Sequence, residues 1–279
     1  MYKIIESKEL AREIKLFVIN APKVAKACKP GQFIILKINE YGERIPLTIY
    51  DYDSDKGTIS IIFQEVGKTT KQLGKLKAQD YIQDFVGPLG KHIEIGNSHK
   101  RIFCVGGGVG VAPVYPKAKA LKNSGAEIIS IIGARSKDLV ILEDEMRAIS
   151  DQLYVCTDDG SYGEHGFVTS VLERLLNQQQ KPDLVIAIGP LPMMKASCEV
   201  TKKFDIPTLV SLNSIMVDGT GMCGSCRVTI QGETKFACVD GPTFNGHLVD
   251  FDELMLRQVR FVEEEKCAVE RYEKMEGFK

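Results

Sequence analysis

The chain has 279 residues, 44% of them hydrophobic and 26% charged, and 36 basic residues against 37 acidic ones leave a net charge of −1. That length favours two domains with a small appended module, and the balanced charge offers no field for nucleic acid or an anionic membrane. No apolar run approaches the ~20 residues of a membrane span and MYKIIESKELAREI lacks the basic-then-apolar order of a secretory signal, so a cytoplasmic location is expected, where eight cysteines read as metal or redox chemistry rather than a disulfide framework.

Short alternating segments fill the first hundred residues: EIKLFVIN, GQFIILKI, RIPLTIY, GTISIIFQEV and YIQDFVGPLG, with one helical interruption, KTTKQLGKL. Many strands at close spacing predict a small antiparallel barrel over residues 1–97. RIPLTIY places Arg44, Pro46, Leu47 and Thr48 on one strand, and FQEVGKTT offers Gly67, Thr69 and Thr70 before the helix as a phosphate seat. An Arg on an edge strand and a Thr-rich helix start also serve purely structural ends.

The pattern changes at Arg101. Continuous apolar runs alternate with amphipathic stretches of helix length: RIFCVGGG, APVYPKAKALKN, EIISIIGA, LVILEDEMRAIS, LYVCTDD, FVTSVLERLLN, DLVIAIG, MMKASCEVTKKF and PTLVSL. Strands too apolar to have a wet face predict a parallel sheet covered on both sides, over residues 98–212, with the boundary in the polar stretch IGNSHK. The first β-α turn, VGGGVGVAP, carries Gly106, Gly107, Gly108 and Gly110 between strand and helix, where a backbone can approach a pyrophosphate. Pro113 suits the first helical turn. Asp158 and Asp159 follow the third strand, and Gly189 and Pro190 the fourth; both ends face the crevice where ligands of open α/β sheets bind. The acidic pair favours NAD over NADP, whereas Arg135 and Lys137 in GARSKD argue the other way, and solvated loop charges remain an alternative for all four.

Residues 213–250 contain VDGTGMCGSCRVTIQGETKFAC, with the spacing D-x4-C-x2-C-x11-C across Asp218, Cys223, Cys226 and Cys238. With Asp in place of the first Cys, this reproduces the C-x4-C-x2-C spacing of plant-type 2Fe-2S sites. Glycines at 219, 221 and 224 allow a tight loop around a cluster, so one Asp and three Cys are expected to serve two irons; a zinc ion on the same four ligands is the alternative. The remaining cysteines are scattered, and His92, His99, His165 and His247 form no nucleophile or metal motif, which argues against a hydrolase. Residues 251–279 read as a charged amphipathic helix.

The barrel, RIPLT, GGGVGVAP, GPLPMM and DGTGMCGSCR with its last Cys together resemble the ferredoxin-NADP reductase-like electron-transfer flavoproteins with a C-terminal 2Fe-2S centre, over essentially the whole chain. Two branches fit: the electron-transfer subunit of type B dihydroorotate dehydrogenase, with four cysteines around its cluster, and the small subunit of NADH-dependent reduced ferredoxin:NADP oxidoreductase, also called sulfide dehydrogenase. Asp218 departs from the first pattern and looks like the second, an electron-bifurcating enzyme. The resemblance implies FAD on the barrel, with Arg44 on its pyrophosphate side, Pro46, Leu47 and Thr48 along the isoalloxazine, Phe63, Gln64 and Glu65 along the adjacent strand, and Gly67, Thr69 and Thr70 at the phosphates. It implies hydride exchange between NAD(H) and the flavin, tuned by Thr48, then single electrons to the cluster. It also implies a larger iron-sulfur flavoprotein partner, in a heterodimer or higher complex, through which ferredoxin is reached. A zinc-stapled nucleotide-binding regulator is the competing reading from another class.

Overall fold

The computed structural model describes residues 1–94, 99–178 and 181–277. The expected division at residues 97 and 98 lies outside the described residues. The first seven strands are β1 (Tyr2–Ala11), β2 (Ile14–Asn20), β3 (Phe33–Lys37), β4 (Arg44–Asp53), β5 (Thr58–Gln64), β6 (Tyr81–Ile82) and β7 (Asp84–Leu89). They pair antiparallel in the order β6-β1-β2-β5-β4-β3-β7. The two ends of that order, β6 and β7, are separated by Gln83 alone, so the sheet curls round on itself as a barrel. Its interior holds Phe17, Ile34, Leu36, Ile49, Ile61 and Phe63, supplied by alternate residues of each strand. Two elements escape the sequence patterns. β1, YKIIESKELA, is too charged to read as a strand and is held by its neighbours β2 and β6; α1 (Pro22–Ala27) is a six-residue helix with Pro at its start. The expected helix is α2 (Lys68–Gly74).

Beyond Arg101 the β-α alternation is present as β8 (Arg101–Gly107), α3 (Val111–Asn123), β9 (Glu127–Ala134), α4 (Glu143–Ile149), β10 (Gln152–Thr157), the two-residue β11 (Glu164–His165), α5 (Val168–Gln178), β12 (Leu184–Ile188), α6 (Leu191–Lys202) and β13 (Thr208–Ser211). α4 is shorter than LVILEDEMRAIS suggests, because Leu142 sits in the left-handed region at φ 58 and starts the helix there. The sheet order is β11-β10-β9-β8-β12-β13-β16, parallel except for the last pair. Along β8, Ile102 and Cys104 pack under α3 while Phe103 and Val105 face α5 and α6, which is why the strand is apolar throughout.

The remaining strands are β14 (Arg227–Ile230) and β15 (Glu233–Phe236), which form a hairpin, and β16 (Thr243–Asn245). The module is not an isolated loop. β16 joins the second sheet antiparallel to β13, and Cys226, Val228, Ala237 and Cys238 enter the same core as Phe103 and Leu172. Sequence periodicity cannot register this, because the apolar face is completed by another domain. The tail forms two helices, not one: α7 (Phe251–Gln258) anchors through Phe251 and Leu254, and after a tight turn α8 (Val262–Gly277) reaches back to α2 of the barrel. There Glu273 pairs with Lys71 at 3.1 Å and Tyr272 lies under the Lys75 ammonium.

Candidate functional site

Strand β4 is the line along which the three parts meet. Its alternation sends Ile45, Leu47 and Ile49 toward the barrel interior, which leaves Arg44, Pro46 and Thr48 together on the outer face, beside Phe33 and Ile35 of β3. Leu47 therefore does not share a face with its expected companions. At one end of this face Arg44 Nε donates to Val217 O at 2.7 Å and Nη2 to Asp218 O at 3.3 Å. At the other, Tyr50 packs on Tyr115 of α3 with ring centroids 4.9 Å apart, and Lys119 bridges to Asp51 at 3.1 Å. Pro46 and Thr48 lie between these two sets of contacts along the strand. Among the described residues no hydrogen-bond partner holds the Thr48 hydroxyl.

The other expected barrel residues divide. Phe63 is 2% exposed and meets Phe17 edge-on, so its ring is spent in the core and only its backbone is available to a ligand. Glu65 pairs with Lys15 at 3.0 Å, and its carboxyl fills the space above Gly74. Gln64 ends β5, opposite Ile14. Gly67 caps α2: its N–H donates to Thr70 Oγ1 at 3.0 Å, and Thr70 Oγ1 donates back to Gly67 O. Thr69 is buried and donates to Glu43 at 2.5 Å. The Thr69 and Thr70 hydroxyls are thus engaged in the protein, leaving backbone donors for a phosphate.

In the second sheet the strand order reverses at β8, and the crevice opens beyond its carboxyl end. A Cβ on Gly106 would lie 3.0 Å from Val111 Cα, and one on Gly110 would strike the end of β12, so α3 can start this close only with glycine. Gly108 differs. Its φ is +56 and nothing stands within 4 Å of its missing Cβ, an open cradle of backbone in front of a helix. Gly107 and Gly189 face each other across the strand ends, and exposed Pro190 caps α6. Arg135 and Lys137 follow β9, the neighbour of β8, whereas Asp158 and Asp159 follow β10, one strand farther out. Asp159 accepts from Ser161 N–H at 2.9 Å, and these hydrogen bonds from Ser161 hold its carboxyl below the usual range. Lys137 N–H donates to Ser161 Oγ, so the basic and acidic loops are tied together.

The four expected cluster ligands form two close pairs. Cys223 Sγ lies 3.3 Å from Asp218 Oδ1, and Cys226 Sγ lies 3.1 Å from Cys238 Sγ. Two ligands on one tetrahedral metal stand roughly 3.6–3.8 Å apart, given metal–sulfur bonds of ~2.3 Å and metal–oxygen bonds of ~2.1 Å, so the first pair needs to open by about 0.3 Å and the second by about 0.7 Å. The four side chains thus stand as two donor pairs, Asp218 with Cys223 and Cys226 with Cys238, an arrangement that suits a two-iron centre with two protein ligands per iron. Cys223 is exposed and Asp218 half-buried, whereas Cys226 and Cys238 are buried. Burial opposes ionisation of Asp218, but N–H groups of Thr220 and Met222, with the Cys223 thiol, hold its carboxyl down at about 2. Ser225 lowers the Cys223 thiol, while burial and the adjacent Cys226 push Cys238 up to about 12, a cost that a bound cation removes. Gly219, Gly221 and Gly224 all take positive φ, and the loop lies so close to the barrel that a Cβ on Gly219 would come within 2.6 Å of Ile35.

Lysine 117 carries no sequence signal. It is 1% exposed where α3, β13 and β16 meet, and its ammonium donates to Ser211 Oγ and to Thr243 Oγ1. Burial lowers its pKa to about 7.

Comparison with known proteins agrees with this layout. Residues 1–93 match an oxidoreductase FAD-binding domain, 104–199 an oxidoreductase NAD-binding domain, and 213–250 the iron-sulfur cluster binding domain of dihydroorotate dehydrogenase B. The Thermotoga maritima homologue of the dihydroorotate dehydrogenase B (NAD(+)) electron transfer subunit is 47% identical over 99% of this chain and 96% of its own. The Geobacillus thermodenitrificans dihydroorotate dehydrogenase B electron transfer subunit is 34% identical over 86% and 94%. A structure from work on flavin-based electron bifurcation by the NADH-dependent reduced ferredoxin-NADP oxidoreductase superposes with a TM-score of 0.92, at 44% identity over 98% of both chains. The chain belongs to the family of dihydroorotate dehydrogenase B-type electron transfer subunits, oxidoreductases that join an FAD-binding, an NAD-binding and an iron-sulfur domain.

Proposed function

We propose that this chain is the NAD(H)-linked electron-transfer subunit of an electron-bifurcating NADH-dependent reduced ferredoxin:NADP oxidoreductase, divided into domains at 1–97, 98–212, 213–250 and 251–279. The carrying observation is the pairing of Asp218 with Cys223 and of Cys226 with Cys238, which supports reading them as a 2Fe-2S ligand set with one carboxylate. The likeness to a bifurcating oxidoreductase at 44% identity over nearly the whole chain supports it. Bound flavin would supply the conversion between two-electron hydride chemistry and the one-electron steps that iron carries.

The chain's own residues do the positioning. Gly106–Gly110 and Gly189 hold the nucleotide's phosphates by backbone approach, and the crevice delivers the nicotinamide toward the outer face of β4. Thr48 donates its free hydroxyl to the flavin at the reacting edge, and Pro46 lines the ring. Backbone N–H groups at Gly67–Thr70 receive the flavin phosphates. The exposed Asp218–Cys223 side of the cluster faces outward, where a partner can take or give single electrons.

Electron-transfer subunits of this family work with a larger catalytic partner. Here the partner is proposed to be an iron-sulfur flavoprotein that reaches ferredoxin. The alternative, a dihydroorotate dehydrogenase B electron transfer subunit, has its support in the curated relatives. Anaerobic isolation of the native complex with cofactor analysis decides between them. A large multi-cluster flavoprotein partner supports the first reading, a small FMN barrel supports the second, and a colourless zinc protein overturns both.

A further inference from the structure

Arg44 stands on the flavin-facing strand, yet its guanidinium is committed to the cluster module. Nε and Nη2 span two consecutive carbonyls, Val217 O at 2.7 Å and Asp218 O at 3.3 Å. Those carbonyls flank the α-carbon of the carboxylate ligand. Beyond them Gly219 and Gly221 take φ of +78 and +86, and the Asp218 carboxylate ties the loop from within by accepting from the N–H groups of Thr220, Met222 and Cys223. Contacts from the barrel fix where that loop sits. Ile35 and Leu89 of the barrel press on Gly219 from one side, and Arg44 is the polar contact from the barrel that holds the ligand's own peptide. Among the described residues Arg44 forms no direct ion pair with a carboxylate, and its guanidinium is spent on the two carbonyls.

We propose that Arg44 is a positioning residue for the iron-sulfur centre: it fixes the backbone of Asp218 and places a permanent positive charge beside the cluster, favouring its reduced state. The physical basis is simple. Reduction adds one negative charge to the centre, and a cation nearby stabilises the more negative form. The planar fork that bridges two carbonyls is specific to arginine; lysine would keep the charge and lose the bridge. The proposal rests on Asp218 as a ligand.

The test uses the full-length protein carrying flavin and cluster, with two readouts independent of turnover: the cluster midpoint from an EPR-monitored redox titration, and the rate of iron release to a chelator. Arg44→Gln is expected to lower the midpoint and to speed iron release about tenfold, as follows from losing hydrogen bonds of a charged donor. Arg44→Lys is expected to restore most of the midpoint but not the slow release. Wild-type values of both quantities in Arg44→Gln overturn the proposal. Asp218→Ser, measured alongside, separates the two ideas: if it alters iron content and EPR signal while Arg44→Gln alters nothing, positioning by Arg44 fails alone. Should Asp218→Ser keep a wild-type cluster, the ligand reading fails and takes this proposal with it.

Discussion

Replacing Lys117 by Met is expected to stabilise this protein at neutral pH. The native ammonium is buried and, among the described residues, its acceptors are the hydroxyls of Ser211 and Thr243, and burial lowers its pKa from 10.5 to about 7. At ~1.36 kcal/mol per pH unit, that difference of about 3.5 corresponds to at most about 5 kcal/mol. Because the folded pKa lies below the unfolded one, the cost is full below about pH 7. It is relieved as pH rises toward 10.5, since in that window the unfolded chain binds the proton and the folded chain does not. Met preserves the unbranched shape, and Ser211 and Thr243, 3.0 Å apart, can satisfy each other, so the lost hydrogen bonds offset only about 1–2 kcal/mol. The net expectation is a gain of about 2–4 kcal/mol at pH 7 that shrinks to near zero by pH 10. Thermal unfolding of Lys117→Met and wild type at pH 7 and 9.5 measures it, with several degrees of increase at the lower pH. A variant that is less stable than wild type by the same margin at both pH values would refute the reasoning, because the loss would then be one of packing and not of charge.

Four further outcomes are expected. Thr48→Val should slow flavin reduction by NADH in stopped-flow measurements while the cluster signal stays intact; an unchanged rate removes Thr48 from the reacting edge. Asp218→Cys should retain a two-iron cluster with a shifted midpoint, whereas Asp218→Ala should lose iron, as read by metal analysis and EPR. Gly108→Ala, which forces a side chain into φ +56 without any clash, should raise the KM for NADH several-fold through about 1 kcal/mol of backbone strain, with kcat less affected. Removal of α8 after Phe261 cancels the Lys71–Glu273 and Lys75–Tyr272 contacts on α2; faster FAD release with unchanged iron content is expected, and equal FAD retention would show that α8 does not brace that helix.

Much of this molecule is determined by local sequence. The alternation that opens TISIIFQ, the apolar runs FIILK, RIFCVGG and LVIAI, and the glycines after β8 specify strands, buried faces and a glycine-rich turn, because each depends on contacts within a few residues or on backbone freedom at one position. The D-x4-C-x2-C-x11-C spacing likewise singles out the candidate donors, since Asp218, Cys223 and Cys226 share one loop.

The joints between the parts belong to the tertiary structure. No pattern in YKIIESKELA marks it as a strand, because its partners β2 and β6 lie elsewhere in the chain. Arg44 lies 174 positions before the Asp218 carbonyl it holds, and Lys117 lies 94 positions before Ser211. The seating of β16 beside β13 makes the cluster module part of the nucleotide sheet. Such contacts arise only when separate surfaces close on one another. That closure brings the outer face of β4, the end of β8 and the ligand loop together, so the electron path is a property of the assembled chain and its stations are properties of the sequence.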